Sequence, residues 1–261
     1  MSAAPSRDTV GPVASLSPKR LIQDALARRG YEIRAIPPVT PDVPERVAFV
    51  KAADEIQRRH RAQTREQVAA LRAKYARPLY GLVNTWDLLE GLAACVDPTD
   101  ALLYGASQQL HMLQVLAAME GDRVEDPVLL AAALLHDVGK LLLLAGEAPE
   151  HVVGSRAPIG ASERGAGLDA AWLQWTHGEF AYSRIKDDVD EPVAWLVRYQ
   201  GMVPERCAPL FDDRDRAYVA RYLTAFRHYD QSFKSPFVLP PKRLADYRAL
   251  AARLLPTTLV V

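Results

Sequence analysis

The sequence predicts an all-α fold, with one domain behind a short N-terminal arm. Apolar residues recur at helical spacing along most of the chain, and no long stretch shows the apolar–polar alternation of a half-buried β-strand. The chain contains no internal repeat. Its 261 residues, of which 49% are hydrophobic, are enough to build one large core. A helical bundle is therefore the expected architecture.

Residues 1–35 are predicted to form a poorly ordered N-terminal arm, and residues 36–261 the helical domain. The start of the arm is rich in Ala, Ser, Pro and Gly and lacks periodicity, whereas residues 20–35 have room for a short helix and a strand. The prolines that follow predict a rigid, extended connection: Pro37, Pro38, Pro41 and Pro44.

The first half of the domain contains three predicted helices. The region 45–75 is charged and helical, and 84–95 follows with Asn84 or Thr85 as its N-cap. The helix 107–119 is apolar almost all round, which indicates burial. It carries His111, which taken alone is most simply a hydrogen-bonded core histidine.

The second half contains further predicted helices separated by one long loop. The loop spans residues 145–166, a length that is often functional in a compact domain. The expected helices are 126–137, 168–186, 191–200, 213–229 and 242–254.

Composition excludes several classes of protein. The 32 basic residues balance the 32 acidic ones, which argues against a nucleic-acid-binding or membrane-surface protein. No apolar run is long enough to span a membrane, and no hydrophobic signal core is present. The two cysteines, Cys95 and Cys207, show no disulfide framework or metal-binding spacing. A cytoplasmic protein is therefore expected.

The stretch Leu134–Lys140 carries the first sign of chemistry. Adjacent residues on a helix diverge by about 100°, so His136 and Asp137 can converge on one centre only at a helix end or kink. Gly139 is expected to give the backbone freedom to turn there. Imidazole and carboxylate donors suit Fe, Mn or Zn. The alternative is a histidine that merely lies at the negative end of a helix dipole.

Other residues of metal-ligand type lie on or at the ends of predicted helices. Together with the His-Asp pair they form the ordered set His111, His136, Asp137, His177 and Asp230. Side chains placed in this way can converge inside a bundle, and this order resembles the HD-domain superfamily.

Within that superfamily, the sequence resembles the myo-inositol oxygenase family of mixed-valent diiron enzymes from about residue 47 to 254. Several linked motifs in one order carry the resemblance. They are His60–Thr64, Val96–Asp100, Leu134–Lys140, Gly146–Glu147, Val152–Gly154, Gly167–Asp169, the residues Trp175, His177, Glu179, Phe180 and Tyr182, and Asp230 with Lys234.

The resemblance implies two iron ions and a small-molecule substrate. One iron would be held by His111, His136, Asp137 and Asp230, and Asp137 would bridge to a second iron at His177. The resemblance also gives Lys140 and Lys234 the role of hydrogen-bonding substrate hydroxyls, with Asp97 assisting. Gly154 and Ser155 would face the substrate from the loop after the metal helix.

Two departures from the family pattern stand out. Gln200 replaces a histidine ligand after Arg198–Tyr199, and a neutral amide oxygen is a poorer donor than imidazole. The number of ions therefore stays open. The substrate loop is also shorter, Ser155 replaces an Asp, and Gly201–Met202 replaces polar residues. The pocket is expected to prefer a substrate other than myo-inositol.

Three functions are compatible with these residues. The first is a diiron oxygenase that uses O2 for C–C cleavage or hydroxylation of a small polyhydroxylated or amino-alcohol substrate. The second is a metal-dependent phosphohydrolase, the commonest activity of the superfamily. The third is a non-catalytic protein that has lost a ligand. The His177 block and the Asp230–Lys234 spacing favour the oxygenase. The oligomeric state is left open.

Overall fold

A computed structural model describes Glu32–Ile33 and residues 43–261. Apart from that dipeptide, the predicted arm lies outside the described residues, as do Pro37, Pro38 and Pro41. Pro44 differs from its predicted role, because it lies in the first turn of a helix. Proline is tolerated there, since the first N–H groups of a helix have no partner within it.

Helices make up most of the described residues, which confirms the all-α class. In chain order they are α1 (Val43–Arg61), α2 (Arg65–Lys74), α3 (Thr85–Gly91), α4 (Gln108–Gly121), α5 (Pro127–Leu135), α6 (Pro149–Val152), α7 (His177–Ile185), α8 (Glu191–Tyr199), α9 (Pro204–Cys207), α10 (Asp213–Tyr218), α11 (Thr224–Ser232) and α12 (Arg248–Leu254). A 3₁₀ helix, Val138–Leu143, follows α5, and a π-helical turn, Val219–Leu223, joins α10 to α11.

Local capping sets several helix starts. Thr64 forms a capping box with Gln67, which divides the predicted 45–75 helix into α1 and α2. Asn84 caps α3, as predicted, and Ser107 and Asp126 cap α4 and α5 through bonds to backbone N–H groups. Each cap acts within three residues, but only the one at Asn84 was predicted from the sequence.

Two small antiparallel sheets also occur among the described residues. Strand β1 (Glu32–Ile33) pairs with β3 (Val238–Leu239), with Glu32 opposite Leu239. Strand β2 (Leu82–Asn84) pairs with β4 (Thr258–Val260), with Val83 opposite Leu259. Strand β1 lies within residues 20–35, where a short strand was expected. Strands of two or three residues are too short to show alternation, and the other three were not predicted.

The prediction of a helix over 168–186 was wrong for its first half. Residues 168–170 form a 3₁₀ turn after Gly167, whose φ is 89°, and helix α7 begins only at His177. The segment between them bonds to distant backbone instead: Ile159 N–H donates to the Trp172 carbonyl at 2.8 Å. These long-range bonds replace the helical ones, and they place His177 at the first turn of α7.

The core surrounds α4 and α5. Both helices are apolar on nearly all faces, and their apolar side chains belong to one continuous buried cluster. Helix α5 packs against α4 and α8, and α7 packs against α8 and the Val138–Leu143 turn. The residues of metal-ligand type on these elements therefore lie in the interior. No helix in the described part of the chain is long and apolar enough to cross a membrane.

Candidate functional site

The His136–Asp137 pair lies where α5 stops. His136 is the last residue with helical dihedral angles, and Asp137 has φ −107° and ψ 0° before the chain enters the 3₁₀ helix. This change of geometry lets two adjacent side chains face one region, and His136 Nε2 lies 3.4 Å from Asp137 Oδ2. The dihedral angles of Asp137 fall in a sparsely populated region that recurs at functional sites.

Gly139 is needed here for a different reason from the one expected. It does not adopt a left-handed conformation, and a Cβ atom at this position would collide with the backbone carbonyl of His177. The glycine thus permits close contact between the Val138–Leu143 turn and the start of α7. That contact brings His177 to the His136–Asp137 pair.

Four donor side chains meet at one point. His111 Nε2 lies 2.8 Å from Asp230 Oδ1 and 4.0 Å from Asp137 Oδ2. His136 Nε2 lies 3.8 Å from Asp230 Oδ1. Ligand atoms that share one ion at about 2.1 Å are separated by roughly 3 Å when adjacent and about 4 Å when opposite. The four donors, which α4, the end of α5 and α11 supply, fit a single metal ion.

The protonation of His136 also fits a metal. Its Nδ1 lies 3.1 Å from the Ala133 carbonyl, which can only accept, so the ring hydrogen belongs on Nδ1. Its Nε2 is buried and has no hydrogen-bond partner among the described residues. A buried lone pair that faces two carboxylates is unfavourable unless a cation lies between them.

A second group of donors adjoins the first across Asp137. His177 Nε2 lies 3.3 Å from Asp137 Oδ1, the carboxylate oxygen that faces away from His136. Its Nδ1 donates to the Val152 carbonyl at 2.9 Å, so Nε2 carries the lone pair. Gln200, which ends α8, places its side-chain nitrogen 3.0 Å from that same Nε2. Asp137, His177 and Gln200 could hold a second ion if the Gln200 amide turned its oxygen inward.

Electrostatics keep Asp137 and His177 in the form that a metal requires. Burial raises the pKa of Asp137, but the charges of Lys140 and His136 outweigh burial and hold that pKa well below its ordinary value. Burial and the Lys140 charge lower the pKa of His177 to about 4. Near neutral pH the Asp137 carboxylate is therefore ionised and the His177 imidazole is neutral. Burial lowers the pKa of His136, but the charges of Asp137 and Asp230 outweigh burial and raise it, so a metal ion at Nε2 would take the place of a proton.

Both lysines lie beside the cluster. Lys140 Nζ is 3.2 Å from Asp137 Oδ2 and 3.0 Å from Asp97 Oδ2. Burial lowers the pKa of Lys140, but the charges of Asp137 and Asp97 raise it above its ordinary value, so the amine stays protonated. Lys234 Nζ is 3.0 Å from Asp100 and 3.8 Å from Asp230 Oδ1.

Gln108 is a site residue that the sequence analysis missed. Its Oε1 accepts from Lys140 Nζ at 2.8 Å, and its Nε2 is buried without a partner in the described part of the chain. Gln108 is the first residue of α4, one turn before His111, so the two share a face. That spacing was the available signal, but nothing local distinguishes Gln108 from the adjacent Gln109.

The substrate-loop residues follow two buried valines, Val152 and Val153. Gly154 is half-buried with φ +117°, and Ser155 is exposed. Their segment reaches the donors through Val152, whose carbonyl accepts from His177. Gly201 is half-buried and Met202 is buried, so the segment after Gln200 presents an apolar side chain to the interior.

Comparisons with known proteins point to one family. The protein-family model described as myo-inositol oxygenase matches residues 50–163, which include His111, His136 and Asp137. Inositol oxygenase 2 of Arabidopsis thaliana is 26% identical over 227 residues, 72% of this chain and 71% of its own. The probable inositol oxygenase of Oryza sativa subsp. japonica is 25% identical over 72% of this chain and 73% of its own. Inositol oxygenase 4 of Arabidopsis thaliana is 24% identical over 76% and 74%.

Proposed function

Because the chain is related to the myo-inositol oxygenase family, we propose that it is an iron-dependent oxygenase that oxidises a small hydroxylated or amino-alcohol substrate with O2. The relatives support an oxygenase of the inositol oxygenase type. The iron, its number and the substrate class are the parts that we propose.

One observation carries the proposal: buried imidazole and carboxylate donors converge around Nε2 of His136, which has no hydrogen-bond partner within the described segments. The group fits iron chemically, since borderline nitrogen and hard oxygen donors suit this metal. His111, His136, Asp137 and Asp230 would hold one ion. Asp137 would share its second oxygen with another ion at His177 and Gln200. Bound iron supplies the capacity to activate O2, which protein side chains lack.

The side chains around the donors would bind and orient the substrate. Lys140 is protonated and fixed by Asp97, Asp137 and Gln108, so it would donate a hydrogen bond to a substrate oxygen rather than remove a proton. Lys234 would do the same from the Asp230 side. Near-complete burial of the donors excludes bulk water, which strengthens each of these interactions.

Iron binding provides the first test. Asp137→Ala should abolish bound iron and O2 uptake while circular dichroism shows an intact helical fold, because this carboxylate contacts both groups of donors. Asp213→Ala, which removes a fully exposed carboxylate, is the matched control and should retain iron. The measurement is iron per chain after anaerobic purification, together with Mössbauer spectroscopy.

The outcome can reject the proposal in two ways. Full iron content in Asp137→Ala would remove the bridging role. Hydrolysis of phosphate esters without O2 uptake would favour the metal-dependent phosphohydrolase instead.

The substrate provides the second test. A site that hydrogen-bonds a hydroxyl discriminates strongly, and the exposed Ser155 and buried Met202 remove two places where such bonds would be made. We expect O2 uptake with other polyols or amino alcohols to exceed that with myo-inositol. Turnover of myo-inositol with a kcat/KM above about 10⁴ M⁻¹s⁻¹ would contradict this expectation.

A further inference from the structure

The proposed function does not explain the sequence motif His60–Thr64. His60 lies in the last turn of α1, and Gln63 lies in the connection to α2. Both side chains are polar, and both are buried, with exposures of 0% and 5%. Buried polar groups away from a reaction centre need a structural or positioning reason.

His60 contacts the loop 150–155, which follows the Val138–Leu143 turn. Its Nε2 lies 2.7 Å from the Ser155 carbonyl, and its Nδ1 lies 3.0 Å from the Glu150 carbonyl and 3.3 Å from Gln63 Nε2. Burial lowers the pKa of His60, so the ring is neutral near pH 7. A neutral ring carries one hydrogen, and the shorter of the two carbonyl contacts assigns it to Nε2, which donates to the Ser155 carbonyl. A Cβ on Gly154 would collide with the ring, so the glycine permits this close contact.

Gln63 ties the same loop to a second segment. Its Nε2 donates to the Glu150 carbonyl at 2.9 Å and the Trp175 carbonyl at 3.2 Å, and its Oε1 accepts from Trp175 N–H at 2.8 Å. Since Oε1 accepts from a backbone N–H, the orientation of the amide is fixed. Gln63 therefore joins the segments 150–155 and 174–176.

Those two segments are the ones that set the orientation of His177. Trp175 lies two residues before His177, which is the first residue of α7. The Val152 carbonyl lies between Glu150 and Ser155 in sequence, and it accepts from His177 Nδ1 at 2.9 Å. The hydrogen bond at one imidazole nitrogen determines which nitrogen is free to bind a metal.

We propose that His60 and Gln63 form a positioning pair that holds the Val152 carbonyl and the start of α7, and thereby keeps His177 in the tautomer whose Nε2 faces Asp137. The inference rests on the proposed function only in treating His177 as a metal ligand. Neither side chain of the pair is a ligand itself, and both act through the backbone of the two segments.

The tautomer of His177 gives the decisive readout. In the full, metal-free chain labelled with ¹⁵N-histidine, the imidazole spectrum of the wild type should show His177 with its hydrogen on Nδ1. His60→Phe and the isosteric Gln63→Met should give a mixture of tautomers. Exchange of the His177 Nδ1 hydrogen should also become about tenfold faster, because the segment opens more often.

Three controls separate positioning from stability. His151→Gln alters a partly exposed imidazole of the same loop, which bonds to Glu147, and should leave the His177 spectrum unchanged. His60→Gln retains an amide donor for the Ser155 carbonyl and should restore much of the wild-type signal. If His60→Phe does not fold, Gln63→Met and His60→Gln still provide the comparison.

An unchanged His177 tautomer in Gln63→Met and His60→Phe, with only a lower Tm, would overturn the proposal and leave the pair a purely structural role. The readout does not depend on oxygenase activity. If the wild type takes up no iron, the proposed function fails, while the tautomer comparison still decides the role of His60 and Gln63.

Discussion

At the residue scale, the Gln200 amide and a second metal ion would compete for the lone pair on His177 Nε2. His177 Nδ1 is bonded to Val152, so only Nε2 can bind a metal, and the Gln200 amide already lies 3.0 Å from it. The hydrogen bond from the Gln200 amide nitrogen and coordination of a second ion use the same orbital. For both residues to bind an ion, the amide must rotate and present its oxygen.

Substitution of Gln200 is expected to change the number of ions. Gln200→His supplies a second imidazole and should bring iron per chain close to two, because imidazole is a stronger donor than a neutral amide. Gln200→Ala should lower occupancy of the second position below that of the wild type. Iron analysis and anaerobic Fe²⁺ titration of the three proteins measure this. Equal stoichiometry in all three would show that Gln200 does not control the second position.

Residue-level patterns identified the donor types but not their full surroundings. The His136–Asp137 pair was noticed because two adjacent polar residues end an apolar helix, which is a local pattern. Gln108 was missed because its importance depends on Lys140, which lies 32 residues away and contacts it only in the folded chain. A long-range contact of this kind leaves no mark in a single sequence.

At the element scale, Glu147 joins the end of α2 to the segment before α6. Its carboxylate accepts from Lys74 Nζ at 2.5 Å, from the Tyr75 hydroxyl, from His151 Nδ1 at 2.8 Å and from the Ala148 N–H at 3.0 Å. Burial raises the pKa of Glu147, but these hydrogen bonds outweigh burial and lower the pKa to about 2. The folded state therefore favours the ionised carboxylate.

Removing this charge should give a pH-dependent loss of stability. The depressed pKa means that Glu147 stabilises the fold fully above pH 4.5, and that the contribution is lost as the pH falls towards 2. Glu147→Gln should lower the free energy of unfolding by about 1–2 kcal/mol at pH 7 and by much less at pH 3. Urea denaturation at both pH values measures the difference.

The exposed Glu125 provides the control for this comparison. Glu125→Gln should change stability by less than about 0.5 kcal/mol at either pH. A Glu147→Gln effect of equal size at pH 7 and pH 3 would rule out the ionised carboxylate as its source.

At the scale of the whole molecule, a buried charge network joins α2, α7 and α8. Glu179 on α7 pairs with Arg156 at 2.6 Å, with Arg198 on α8 at 2.8 Å, and with Arg72 on α2 at 3.3 Å. Arg156 is only 1% exposed, so its charge depends on this partner. Buried ions that lose their partner are strongly destabilising.

Glu179→Ala should therefore lower the free energy of unfolding by about 3–5 kcal/mol, because it leaves Arg156 with an unpaired buried charge and leaves Arg198 only Asp169 as an acidic partner. Glu191→Ala removes an exposed carboxylate that contacts Arg214 at 3.2 Å, and its cost should stay below about 1 kcal/mol. Chemical denaturation of both variants tests the comparison. Similar losses in the two would mean that Glu179 contributes no more than a surface ion pair.

The sequence by itself determined the helical class, the order of most helices, the cap at Asn84, and the residue types that could bind a metal. These features depend on periodicity and on contacts within a few residues, so each segment carries its own signal. The prediction for 168–186 was wrong for the same reason. Its residues favour a helix locally, but the backbone before His177 bonds to the distant segment near Ile159.

Only the tertiary structure decided how those residues meet. Gly139 lies against the His177 carbonyl, His60 lies against Gly154, and Gln108 reaches Lys140, and each contact joins segments at least 30 residues apart. They arise where separate elements pack together, as α1 does against α6 and α7 does against the Val138–Leu143 turn. Packing depends on the shape of the whole core, so neither helix propensity nor spacing could specify it in advance.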